Sequence, residues 1–319
     1  MTHSYIIKKL KEHLQTAIEI EHATLPPYLT AYWSICGDSA IAKNTAASIL
    51  SVIREEMLHM GMACNILNAI GGKPVIRGIN FIPAYPCFLP GHSHTVNAFQ
   101  VGLAPCSADA IETFMRIELP EQILEEIHLE KKWATIGQFY RMIIRLINDP
   151  LISDEDFVHG NQIDNKANPA HGILYTVSCR AEAVTAMEEI LDQGEGHNLQ
   201  HHHDKDHELT HYWKFNEIFH LINSGKWEIE KEVYPVAANP DSTYFSYEAK
   251  QLNKKFNSLY SNMLDALHSA YNGEGNIQAG IYRMLMLEPV AKQLMQIPLV
   301  GKEGNAGPTF RWVGEGERE

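Results

Sequence analysis

The sequence lacks long hydrophobic runs, cysteine motifs and a signal-peptide core. No 18 consecutive apolar residues occur, so we expect no transmembrane helix and no membrane partner. The first residues pass directly into an amphipathic pattern with no apolar segment of the kind that directs secretion, which predicts a cytoplasmic protein. The 5 cysteines are widely spaced without a Cys-x-x-Cys pair, which excludes a thiolate zinc site and predicts reduced thiols.

The chain also lacks a positive surplus of charge, repeats and low-complexity linkers. Its 39 acidic and 26 basic residues give a net charge of −13, which repels phosphate backbones and excludes nucleic acid as a partner. A hydrophobic fraction of 45% is typical of a folded globular protein. We therefore predict a helical bundle over 1–225 with a proline-rich insertion at 73–106, and a mostly helical C-terminal extension at 226–319 packed on the bundle.

Apolar residues recur at helical spacing through most of the chain, which predicts an all-α fold. Pro26 and Pro27 predict a kink within or just after the first helix. The insertion contains aromatic residues between its prolines, and we expect it to cover another part of the molecule. The predicted helices span 4–35, 39–70, 108–119, 129–148, 171–193, 204–223, 248–271 and 277–296.

Two copies of a Glu-x-x-His motif carry the strongest chemical signal. In each copy the carboxylate and the imidazole are three positions apart, so both lie on one face of a helix and can bind the same metal centre. Both copies also fall within the apolar stripe of their own predicted helix, which predicts that they face the core. The two copies are Glu56 with His59 and Glu208 with His211.

Single carboxylates on two further helices complete the pattern of a dinuclear carboxylate site. Glu21 and Glu118 each lie in an apolar stripe, and a buried ionised carboxylate needs a cation or a strong hydrogen-bond donor. Glu188 remains the alternative to Glu118, whereas Glu182 is predicted to face water. The alternative is a metal-free core in which Arg54, Arg116 and Tyr28 are the hydrogen-bond or ion-pair partners of the buried glutamate and histidine side chains. The predicted ligands are Glu21, Glu56, His59, Glu118, Glu208 and His211.

Several motifs resemble the ferritin-like domain of the iminophenyl-pyruvate dimer synthase family, which includes portions of violacein and rebeccamycin biosynthetic enzymes. The similarity covers nearly the whole chain, and its most specific motifs are the runs at 17–30 and 55–60. It implies a ferritin-like four-helix bundle with an iron-type site on the six ligands named above. Other similar motifs are at 65–72, 85–86, 117–120, 135–140, 193–196, 211–215 and 306–310.

From these observations we expect an oxidase or oxygenase with two iron ions, or manganese in their place. Its partners would be O₂ and a small organic substrate of secondary metabolism, with amino- or imino-acid derivatives as candidates, and the chain could form a homo-oligomer. Tyr28 and Tyr140 are candidate catalytic residues near the metals. The alternatives are iron storage and a metal-free structural bundle.

Overall fold

The computed structural model describes residues 2–91, 99–120, 135–157, 160–164, 173–194 and 202–318. Within these ranges the chain is helical, with isolated β-bridges and no β-strand, which confirms the all-α prediction. The described helices are α1 (His3–Ser34), α2 (Ala40–Ala69), α3 (Ala108–Ile117), α4 (Ile136–Ile147), α5 (Arg180–Gln193), α6 (His211–Asn223), α7 (Ile229–Glu232), α8 (Tyr247–Tyr271), α9 (Ile277–Leu285) and α10 (Leu287–Leu294).

Helices α1 and α2 are the longest, with 32 and 30 residues, and they pack against each other. Each begins at a side-chain cap: the hydroxyl of Thr2 accepts from the Tyr5 amide, and that of Ser39 accepts from the Ala42 amide. Their apolar stripes are buried against each other and against the rest of the core. At about 1.5 Å per residue the pair extends over roughly 45 Å and forms a continuous half of the bundle.

The two prolines lie inside α1, and the helix continues past them to Ser34. Proline has no amide hydrogen, so Pro27 cannot donate to the carbonyl of Ala23 as a helical residue would. The hydroxyl of Tyr85, in the proline-rich segment, donates to that carbonyl at 2.8 Å. The prolines therefore leave an acceptor that ties the insertion to α1.

The other half of the bundle consists of shorter helices. Helix α3 packs on α6, and α4 packs on α5, while both pairs also contact the α1–α2 half. The prediction of one helix over 204–223 is wrong in its first part, because residues 202–210 form a turn with a bridge between His203 and Leu209. The helix predicted over 171–193 begins only at Arg180, because the described residues before it are not helical. Residues 129–134 of the helix predicted over 129–148 lie outside the described ranges.

The C-terminal helices pack on the long pair, with α10 against α1 and α8 against α2. Aromatic rings join the two parts, since Trp33 of α1 contacts both Phe256 of α8 and Phe310. The predicted boundary near residue 225 stays a prediction. Within the described ranges, no helix is both long enough and apolar enough to cross a membrane.

Candidate metal centre

The first group of candidate ligands comes entirely from the α1–α2 pair. Glu21 of α1 and Glu56 and His59 of α2 are buried side by side. The Nδ1 atom of His59 lies 3.7 Å from a carboxylate oxygen of Glu21 and 3.5 Å from one of Glu56. These three residues face the interior because they occupy the apolar stripes of their helices, as the sequence pattern predicted.

The second group joins α2 to the interrupted half of the bundle. Glu118 is the residue at the C-terminal end of α3, and His211 is the first residue of α6. Both are buried, and the Nδ1 atom of His211 lies 3.2 Å from an oxygen of Glu56 and 3.3 Å from one of Glu118. Glu56 therefore belongs to both groups, as a carboxylate that bridges two metal ions would.

The orientation of the two imidazoles fits a metal better than an empty core. The Nε2 atom of His59 donates to the Gln193 side-chain carbonyl at 2.9 Å, and that of His211 donates to Glu55 at 2.7 Å. In the neutral form of each ring, the Nδ1 atom then carries the lone pair and faces carboxylates, which only accept. Among the described residues, the buried Nδ1 of His211 has no hydrogen-bond partner. A cation between the lone pairs and the carboxylates would satisfy both sides.

Without a cation, the cluster retains protons instead. Burial raises the pKa of Glu21 to about 7, and the charge of Glu56 adds to the increase. Burial would lower the pKa of His59, but Glu21 and Glu56 outweigh it and raise that pKa to about 10. Burial likewise opposes protonation of His211, yet Glu118 and its neighbours raise its pKa well above the usual value. The site thus attracts positive charge at each imidazole.

Hydroxyl groups hold the free oxygens of all three carboxylates. Tyr140 of α4 donates to Glu21, Thr24 donates to Glu56 at 2.6 Å, and Tyr28 donates to Glu118 at 2.5 Å. Both tyrosines that the sequence singled out are therefore brought to the site. Burial, with the nearby charge of Glu118, raises the pKa of Tyr28 well above its usual value, so its hydroxyl stays protonated as a donor.

Sequence reasoning missed Glu55 and Lys214, which support His211 from outside the cluster. Glu55 accepts from His211, and the mostly buried ammonium of Lys214 donates to both Glu55 oxygens at 2.9 Å. Burial would raise the pKa of Glu55, but His211 and Lys214 lower it to about 2. The available signal was the spacing of His211 and Lys214, which places a second polar group on the same face of α6.

We expect Glu55→Gln to weaken metal binding about 10- to 100-fold, because partners of ligating histidines fix the ring and increase its basicity. Zinc or ferrous titration of the metal-free protein monitored by calorimetry is the measurement. Glu182→Gln is a matched control, since Glu182 is exposed and accepts only from the Ser178 region. Equal affinities in both variants would contradict a supporting role for Glu55.

The structure does not bring Glu208 or Glu188 to the cluster. Glu208 precedes α6, its side chain is 65% exposed, and its carboxylate lies 3.9 Å from the Lys214 ammonium. The prediction that Glu208 and His211 share one helical face is wrong, because the helix begins at His211. Glu188 is exposed on α5, so the geometry favours Glu118 over this alternative.

A small cavity of about 20 Å³ adjoins the ligands and is enclosed mainly by α1, α2, α4 and the end of α5. Gly194 belongs to its wall, and a Cβ atom there would lie 3.1 Å from the Ile190 carbonyl oxygen and 3.7 Å from a Glu118 oxygen. None of the described residues of the proline-rich segment lines this cavity. The space suits a diatomic molecule or water better than an organic molecule.

Comparisons with known proteins agree with this architecture. A family model described as Ferritin-like matches residues 14–220. A ferritin-like protein from Caulobacter vibrioides has a TM-score of 0.71 at 22% identity, over 96% of this chain and 98% of the other. Dichlorochromopyrrolate synthase from Lentzea aerocolonigenes is 22% identical over 86% of this chain, which spans 31% of the length of that relative.

Proposed function

Because the chain belongs to the ferritin-like family, we propose that it is a dinuclear iron enzyme that uses O₂ to oxidise or couple a small organic substrate. The observation that carries the proposal is the pair of lone-pair-bearing Nδ1 atoms that face a shared carboxylate, Glu56. Manganese is the alternative metal, since carboxylate and imidazole ligands suit both ions.

The charge and number of the ligands support two divalent ions. The ligands would be Glu21, Glu56 and His59 for one ion, and Glu56, Glu118 and His211 for the other. Three carboxylates only partly neutralise two divalent cations, which leaves the centre electrophilic. With three protein ligands for each ion, coordination positions stay open, as in catalytic rather than purely structural sites.

A bound ferrous pair would supply electrons for the reduction of O₂. Side chains of the protein would hold the metal ligands in place and donate protons. Tyr140 and Tyr28 hold hydroxyl protons next to Glu21 and Glu118, one on each side of Glu56. Apolar side chains from α1, α4 and α5 line the cavity beside them.

The substrate class rests on the relative from Lentzea aerocolonigenes, whose name describes a synthase that makes an organic product. We infer for this chain an amino- or imino-acid-derived substrate, acted on by the metal centre. This chain spans 31% of the length of that relative, and we propose for it only chemistry at the ferritin-like metal centre.

Stoichiometric iron loading separates this proposal from storage and from a metal-free bundle. We expect anaerobic protein to bind about two ferrous ions per chain and then to consume O₂ once without forming mineral. Oxygen consumption and iron content after desalting are the measurements, with size-exclusion mass as the check on assembly. Continued uptake of many irons in a large shell would indicate storage, and absence of bound iron would indicate a structural bundle.

A further inference from the structure

A second cavity, of about 280 Å³, lies between the proline-rich segment and the C-terminal extension. Ile79 and residues 82–85 form one wall, and residues 309–312 form another. We propose that this cavity binds a planar aromatic carboxylate, at a site separate from the metal centre. The proposal is independent of the function proposed for the metal centre.

Flat and apolar groups dominate the cavity walls. Tyr85 and Trp312 contribute aromatic side chains, and Ile79 is 74% exposed, which is unusual for a large aliphatic side chain. The guanidinium of Arg318 packs on the Trp312 ring at 4.7 Å and is itself paired with Asp265, so the ring is held in place. Such walls favour an aromatic ring over a sugar or a flexible chain.

The charge that the described lining residues bring to the cavity is positive. Arg311 is the only charged residue among its described lining residues, in a chain whose net charge is −13. Within the described ranges its guanidinium has no hydrogen bond or close ion pair. The exposed Asp241 interacts with it only at longer range. A guanidinium binds a carboxylate through two parallel hydrogen bonds, which supplies the anion specificity of the proposed site.

The residue that precedes Arg311 and Trp312 has an unfavourable backbone conformation. Phe310 has a φ of 47°, in the left-handed region that a bulky side chain rarely adopts. Its buried ring contacts Trp33, Phe256 and Tyr260, which fix it in this conformation. Strained backbone of this kind is concentrated at ligand sites. The next two residues, Arg311 and Trp312, line the cavity.

The two cavities share none of the described residues that line them. Tyr85 marks the boundary, because its ring lines the second cavity while its hydroxyl donates to the Ala23 carbonyl of α1. Glu21, two residues earlier on the same helix, belongs to the metal cluster instead. A ligand in the second cavity therefore need not touch a metal.

Isothermal titration of the metal-free and metal-loaded protein with 2-naphthoate, and with uncharged 2-naphthamide, tests the proposal. We expect one naphthoate per chain in both protein forms and binding of naphthamide weaker by about tenfold or more, because the amide lacks the charge. Naphthoate binding that requires the metal would assign the anion to the metal centre and overturn the proposal. Equal binding of the amide, or no saturable binding of naphthoate, would overturn it as well.

Two substitutions locate the bound anion. Arg311→Gln should weaken naphthoate binding about tenfold, whereas Arg283→Gln should not, because Arg283 donates to the Ala279 carbonyl of its own helix. Trp312→Phe should abolish the ligand-induced change in tryptophan fluorescence while binding measured by heat persists. All three positions are at least partly exposed, so the variants should fold, which melting curves would check. Unchanged affinity in Arg311→Gln would exclude this cavity as the site.

Discussion

Glu56→Ala should reduce bound metal from about two ions per chain to nearly none, because Glu56 is the carboxylate that both ligand groups share. Removing it also takes from the Nδ1 atoms of His59 and His211 the nearer of the two carboxylates that each faces. His59→Ala and His211→Ala should each weaken mainly one ion. Elemental analysis of protein purified without a histidine tag is the measurement.

Controls for this experiment come from histidine and glutamate residues outside the cluster. Glu208→Ala and His202→Ala should retain full metal content, because both side chains are exposed on the turn before α6. Full metal content in Glu56→Ala would exclude the proposed centre. Loss of metal in Glu208→Ala would show that the turn rearranges to supply a sixth ligand when metal binds.

Removal of the metals should lower the thermal stability of the protein, and metal should restore it. A ligand present at 100 times its dissociation constant stabilises the folded state by about 2.7 kcal/mol, which corresponds to a change in Tm of roughly 5 °C. Melting curves of apo and loaded protein are the measurement. Equal Tm values at neutral pH would favour a core whose buried groups are already satisfied.

The stability of the apo protein should fall as the pH rises. The pKa of Glu21 is raised from 4.5 to about 7, so folding favours its protonated form, and this contribution is lost as the pH rises from 4.5 through 7. The pKa of His59 is raised from 6.5 to about 10, so its contribution is complete below 6.5 and lost through 10. The Tm gap between loaded and apo protein should therefore widen from pH 6 to pH 9.

Helical periodicity predicted much of this site because Glu21, Glu56 and His59 lie in the middle of long, regular helices. In such a helix a polar residue in the apolar stripe must face the core. The same phase argument placed Glu118 in an apolar stripe and turned Glu182 towards water, and the structure places Glu118 in the cluster. That these residues bind metal is still a prediction.

Periodicity failed for Glu208 because it assumes that the helix continues. The carboxylate of Asp204 accepts from the amides of Asp206 and Glu208, and His207 adopts a left-handed φ of 65°, so the chain turns before α6 begins. Glu55, Thr24 and Gln193 were missed for another reason. They act through contacts with the ligands' outer atoms, and those contacts depend on how the helices pack.

The continuous α1–α2 pair has a consequence for the order in which the protein folds. Its contacts join residues close in sequence, so loop closure is inexpensive and we expect this hairpin to form early. It already contains Glu21, Glu56 and His59, whereas Glu118 and His211 arrive with α3 and α6. A nascent chain would thus acquire one half of its metal site long before the other, and early metal capture would favour correct docking of the later helices.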